Sequence, residues 1–168
     1  MFGYDVMISL TQLTQLPCYN RVTIPEAYLD VMGHMNVRWY VAMFDDAAWD
    51  FFADFGMDQA YYDGTNSGGF ALRQYISYLA EVRVGETVAV RTRMLARSAK
   101  LIHFMHFMIN ETTGVLAATM EVLGAHANLE ERRLSPFPPQ VAAQIDEMLA
   151  ENGRLDWAAP VCGVIKVT

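Results

Sequence analysis

Basic residues are scarce in this chain of 168 residues: 12 Lys and Arg stand against 19 Asp and Glu, a formal net charge of −7. A surface so short of cations lacks the electrostatic footprint that nucleic-acid phosphates require, which argues against nucleic acid as a partner. Cysteine is nearly absent as well. Cys18 and Cys162 lie near opposite ends with no CxxC spacing, so neither a disulfide framework nor a thiolate metal site is indicated. Charged residues make up only 18% of the chain against 53% hydrophobic, a balance that argues against disorder. Long apolar runs are missing too: each is broken by Asp or Arg before the ~20 residues of a bilayer span. The opening MFGYDVMISLTQL has no basic n-region leading into an unbroken apolar core, and the expectation is a reduced, cytoplasmic protein without a leader.

What remains is one α+β domain over 1–168, with its core at about 18–140 and a C-terminal helix and tail from 140 onward. CYNRVTIP at 18–25 alternates as a strand and ends at Pro25. After a turn-rich stretch, the apolar run from Asn36 to Gly56 reads as a helix of about five turns, with Gly56 as its stop. Asp46, Asp50 and Asp54 form one narrow stripe on it. Its remaining circumference is so apolar that cover on more than one side is expected. Residues 57–69 read as loop.

Four strands are expected over 70–82, 86–97, 100–110 and 115–129. Their short connections imply antiparallel neighbours. The third, LIHFMHFMI, is apolar on both faces, so it belongs at the centre of a sheet, with a second subunit as the expected cover for its far side. PQVAAQIDEMLAENG closes the chain's regular structure as an amphipathic helix stopped by Gly153.

The segment Asp30-Val-Met-Gly-His-Met-Asn36 carries the most chemistry. It is polar, contains glycine, and precedes a helix N-terminus whose unpaired N–H groups can receive an anion or a developing oxyanion. A carboxylate at Asp30 can act there as general base or nucleophile on a polarised carbonyl. Capping is the competing role for Asp30 and Asn36, with His34 as a surface turn residue.

The motif D-x-x-G-H-M-N at 30–36, followed by Tyr40 and Phe44, resembles the hotdog-fold acyl-CoA thioesterases of the 4-hydroxybenzoyl-CoA thioesterase type. The runs ISYLAEVRVGE at 76–86 and NLEERRLSPFP at 128–138 resemble that family's later strands. Within it, IPEAYLDVMGHMNV is similar to betainyl-CoA thioesterases, although Arg73 and Tyr75 stand where those relatives are expected to carry an acid and a His. The resemblance implies a hotdog fold, an antiparallel sheet wrapped around a long central helix. It implies hydrolysis of an acyl-CoA thioester without a cofactor, coenzyme A being part of the substrate. Homodimers or dimers of dimers are implied as well. Asp30 maps to the catalytic carboxylate, the N–H groups near Asn36 and Val37 to the oxyanion hole, and His34 with Asn36 to substrate positioning. A non-catalytic acyl-CoA-binding module and a hotdog hydratase or dehydratase are the alternatives.

Arg97 and Lys100 flank the turn at Ser98-Ala99 and are the candidates for the CoA phosphates, with solubilising surface charge as their other role. His103 and His106 are three apart in a strand, so they face opposite ways and cannot share a metal. No metal is expected.

Overall fold

A computed structural model describes residues 8–168. The reading of the opening segment falls largely on residues 1–7, outside the described residues. A short helix α1 (Leu10–Leu13) precedes β1 (Cys18–Thr23). Then come the long helix α2 (Val37–Ala53), a short α3 (Gln59–Gly64), and strands β2 (Ser67–Tyr78), β3 (Thr87–Arg97), β4 (Leu101–Asn110), β5 (Val115–Asn128) and β6 (Arg133–Leu134). Helix α4 (Pro139–Asn152) is the last regular element. One sheet has the strand order β1-β3-β4-β5-β2, with β6 added beside β5. No helix among the described residues is long and apolar enough to cross a membrane.

The chain divides into two compact units. The first holds the chain up to Ala48 with Ile76–Thr92 and His106–Met120. In it, Tyr40, Met43, Phe44 and Ala47 of α2 are buried, and Phe44 stacks on His106 of β4 at 5.6 Å between ring centres. β1 pairs antiparallel with β3, from Thr23 opposite Thr87 to Cys18 opposite Arg91. The second unit holds Trp49–Tyr75, Arg93–Met105 and Glu121–Thr168. Its core is aromatic: Phe51 packs edge-on against Phe55 and lies 5.1 Å from Phe104. Gly56 adopts φ +84°, the left-handed conformation that ends α2 where the sequence places its stop.

Three expectations require correction. First, β2 and β3 are not neighbours despite the short link between them, because β3 pairs with β1 and β2 lies at the far edge beside β5. A short connection allows a hairpin but does not compel one. Here Gly85 N–H and Ile24 N–H bond across to Ile24 O and Glu86 O, so the turn at 84–85 serves the β1–β3 pair. Second, 57–69 is not all loop. The Asp58 side chain caps α3 by accepting from Tyr61 N–H at 2.8 Å, a cap hidden by the glycines and asparagine that follow.

Third, the far face of β4 is covered by the chain itself. Nine of the ten β4 positions are buried. In the first unit Arg91, on the face opposite His106 and its partner Thr92, donates to Leu16 O just after α1. In the second, Glu121 on that face accepts from Cys162 N–H at 2.6 Å, and Arg93 lies 4.4 Å over the Trp157 ring. These terminal segments carry too few apolar residues in period to announce themselves in sequence.

Candidate active site

The chain from Tyr28 to Asn36 doubles back on itself. Leu29 and Met35 form an isolated antiparallel bridge. Asp30 N–H donates to His34 O at 2.9 Å, and Asn36 N–H to Tyr28 O at 2.9 Å. Gly33 at the reversal has φ +83°, a conformation that favours glycine. Met35 N–H adds a 2.8 Å bond to Val82 O, which ties the loop to the segment after β2. The consequence is positional: the Asp30 backbone is tied to His34, two residues before Asn36 at the start of α2.

Two roles left open in sequence now separate. The Asp30 carboxylate accepts Met32 N–H at 2.8 Å through Oδ1, a turn within the loop rather than a cap on α2. Its second oxygen has no hydrogen-bond partner among the described residues. Capping falls to Asn36, whose Oδ1 accepts Arg38 N–H at 3.1 Å and whose backbone oxygen accepts Trp39 N–H at 2.9 Å. The Val37 N–H, which starts the helix, is not taken up by that cap. An unblocked carboxylate oxygen and a helix-terminal N–H are therefore held by one short segment, a combination able to offer a base or nucleophile and to receive an oxyanion.

His34 does not face the carboxylate through a hydrogen bond. Its Nε2 lies 3.5 Å from Glu81 Oε1, and Glu81 Oε2 lies 3.4 Å from Arg83 Nη2. Glu81 is thus a neighbour of the loop that sequence reasoning missed. The signal was its place just past β2, which the strand reading over 70–82 absorbed.

The two cations at the β3–β4 turn part company. The turn closes as read, with Ser98 N–H on Leu101 O at 2.8 Å. Arg97 is engaged by both oxygens of Asp146 on α4, at 2.6 and 2.5 Å. That bidentate contact raises the Arg97 pKa and holds the Asp146 carboxyl below its ordinary value. Lys100 is exposed. His106 bonds to Thr92 Oγ1 at 2.7 Å and His103 to Glu121 Oε1 at 2.7 Å; they occupy opposite faces of β4, as an odd spacing demands. Among the described residues, no group of three or more His, Cys, Asp or Glu is placed to hold a metal.

Comparison with known proteins bears on family and fold. A family model described as the thioesterase-like superfamily matches residues 24–145, which includes the whole 30–36 loop. A betainyl-CoA thioesterase of Pseudomonas aeruginosa is 31% identical over 139 residues, 83% of this chain and 86% of that protein. A Staphylococcus aureus protein solved in complex with CoA superposes with a TM-score of 0.75 at 23% identity, over 86% of this chain and 97% of its own. The DHNA-CoA thioesterase of Staphylococcus aureus gives 0.73 at 18% identity, over 83% and 95%. Sheet, long helix and braced loop are those of a hotdog fold, and with a family match across most of its length the chain belongs to the thioesterase-like superfamily and is a thioester hydrolase.

Proposed function

We propose that the chain hydrolyses an acyl-CoA thioester to a free acid and CoA, without a cofactor, in the cytoplasm. Asp30 serves as general base toward water or as nucleophile on the thioester carbonyl. The N–H groups around Val37 receive the oxyanion, and His34 and Asn36 position the substrate. One observation carries this reading: the Asp30 carboxylate keeps an oxygen unpartnered among the described residues while its other oxygen and its backbone lock the loop that enters α2.

The acyl group follows from charge. The Pseudomonas aeruginosa relative is a betainyl-CoA thioesterase, but Arg73 occupies β2 here in place of the acid expected for a cationic acyl group. An uncharged, mainly apolar acyl group suits the aromatic and methionine content better. Thiol release from a panel of short-chain, aromatic and betainyl CoA esters tests this. Turnover should be highest on an uncharged ester, and betainyl-CoA as best substrate overturns the charge argument. Tight binding of CoA esters by calorimetry with no thiol release from any of them favours a binding module instead.

Self-association belongs to the same reading. β2 is an edge strand with seven consecutive exposed positions from Gly69 to Tyr75, and Phe70, Leu72 and Tyr75 among them are each about half exposed. An edge of that length, without charge along most of it, invites pairing with a second copy. Leu72→Glu should shift the mass measured by light scattering from dimer, or dimer of dimers, toward monomer. An unchanged mass removes β2 from the interface.

A further inference from the structure

The root of the 30–36 loop carries an aromatic stack that the proposed chemistry leaves unused. Tyr28 and Trp39 flank the loop within the first unit and are drawn together by Asn36. The Asn36 N–H donates to Tyr28 O, and the Asn36 backbone oxygen accepts Trp39 N–H. The two rings lie face to face, 3.7 Å between centres and 9° from parallel. Arg38 Cζ stands over the same indole, 4.9 Å from its centre. The indole N–H is buried without an acceptor among the described residues, so no hydrogen bond of the ring fixes Trp39. Its π surface makes the contacts, and both groups that cover it belong to this chain.

Neither the helix nor an ion pair accounts for Arg38. It is the second residue of α2, where the helix dipole favours an acid and opposes a cation. No acid stands in that first turn, and the Arg38 side chain has no ion-pair partner among the described residues. It is exposed, so burial does not hold it either. What remains is the attraction of a guanidinium to the face of an indole, the same attraction that binds quaternary ammonium ions to aromatic rings.

In the proposed thioesterase reaction the acyl carbonyl meets Val37 N–H, and Arg38 and Trp39 are the next two residues of the chain. The charge of a betainyl group sits one carbon away from its carbonyl, so it enters beside that ring. We infer that Arg38 is a specificity-determining residue: its guanidinium occupies the indole surface that a cationic acyl group would take, and so keeps such a group out. The inference rests on the acyl-CoA thioesterase reading and adds to it the residue that sets charge at the acyl position.

Two CoA esters of one shape test it: betainyl-CoA, with a trimethylammonium group, and 3,3-dimethylbutyryl-CoA, with a tert-butyl group in its place. The readout, in the full chain, is the ratio of kcat/KM for the charged ester to kcat/KM for the neutral one. Effects of Arg38 on folding or on the oxyanion cancel in that ratio, because both esters share the carbonyl. Arg38→Ala keeps the backbone N–H that Asn36 Oδ1 accepts, and baring the indole should raise the ratio about tenfold. Adding Trp39→Leu removes the bared surface and should take back most of that gain. A wild-type ratio in Arg38→Ala overturns the inference. So does a double variant that keeps the whole gain. If wild type releases no thiol from any CoA ester, the thioesterase reading fails by itself. The same ratio is then taken from calorimetric affinities for the two intact esters, and a rise in Arg38→Ala supports the role of Arg38 while no rise overturns it.

Discussion

Asp30→Asn should release thiol from the best CoA ester roughly 10²–10⁴-fold more slowly than wild type, the range expected for loss of a positioned proton-transfer group. The substitution is chosen for what it preserves. Asn keeps a side-chain oxygen that accepts Met32 N–H, as Asp30 Oδ1 does at 2.8 Å. The backbone bonds from Asp30 N–H to His34 O and from Gly33 N–H to Asp30 O are untouched. Folding should therefore survive, with Tm close to wild type. What disappears is the carboxylate, which both the general-base and the covalent route require. A hundredfold loss corresponds to about 2.7 kcal/mol of barrier, far more than a loop hydrogen bond of the kind retained here supplies.

Asp30→Ala separates the structural and chemical duties of the side chain. It removes the acceptor for Met32 N–H as well, so Tm should fall below that of Asp30→Asn while the two turnover losses agree. Single turnover in ¹⁸O-labelled water then distinguishes the routes. Attack by Asp30 on the thioester expels the thiolate and forms a mixed anhydride. Water attacking the Asp30 carbonyl of that anhydride leaves ¹⁸O in the enzyme, whereas direct attack of water on the thioester leaves it only in the product acid. Equal thiol release by wild type and Asp30→Asn takes Asp30 out of the mechanism.

How much of this was legible in sequence depends on how local the cause is. The strand at β1, the helix α2 with its stop at Gly56, and the strands β3 to β5 were each written in periodicity and punctuation within a dozen residues. The loop at 30–36 was legible for the same reason, since an acid, a glycine and an amide before an apolar helix are neighbours in the chain. Long-range partnerships were not. The engagement of Arg97 depends on Asp146, 49 residues away, and no local pattern marks that pairing. The position of β2 at the far edge of the sheet is a matter of strand order, with β1 occupying the side of β3 that a hairpin would have used. Glu81 lies beside His34 only because Met35 pairs with Val82.

His106 should make the protein lose stability on acidification earlier than its carboxylates alone dictate. The ring is wholly buried on β4, stacked on Phe44 and bonded to Thr92 Oγ1. Burial pushes its pKa down from 6.5 to about 3, so the folded protein keeps the ring neutral throughout the mildly acid range. The unfolded chain, with an ordinary imidazole, takes up a proton once pH drops below about 6.5. Between the two values the unfolded state binds one more proton, and the linkage relation then requires stability to fall as pH falls. The contribution is fully present above pH 6.5 and is lost progressively down to about 3. Each pH unit inside that window is worth about 1.4 kcal/mol, so about 2 kcal/mol should go between neutrality and pH 5. Denaturant titrations of wild type and His106→Gln at pH 7, 6 and 5 read this directly. The variant starts less stable, because Gln cannot stack on Phe44, but its curve should be flatter by about 2 kcal/mol over that interval. Parallel curves for the two proteins would mean that the ring is protonated in the folded state, and the buried neutral histidine between Phe44 and Thr92 would have to be abandoned.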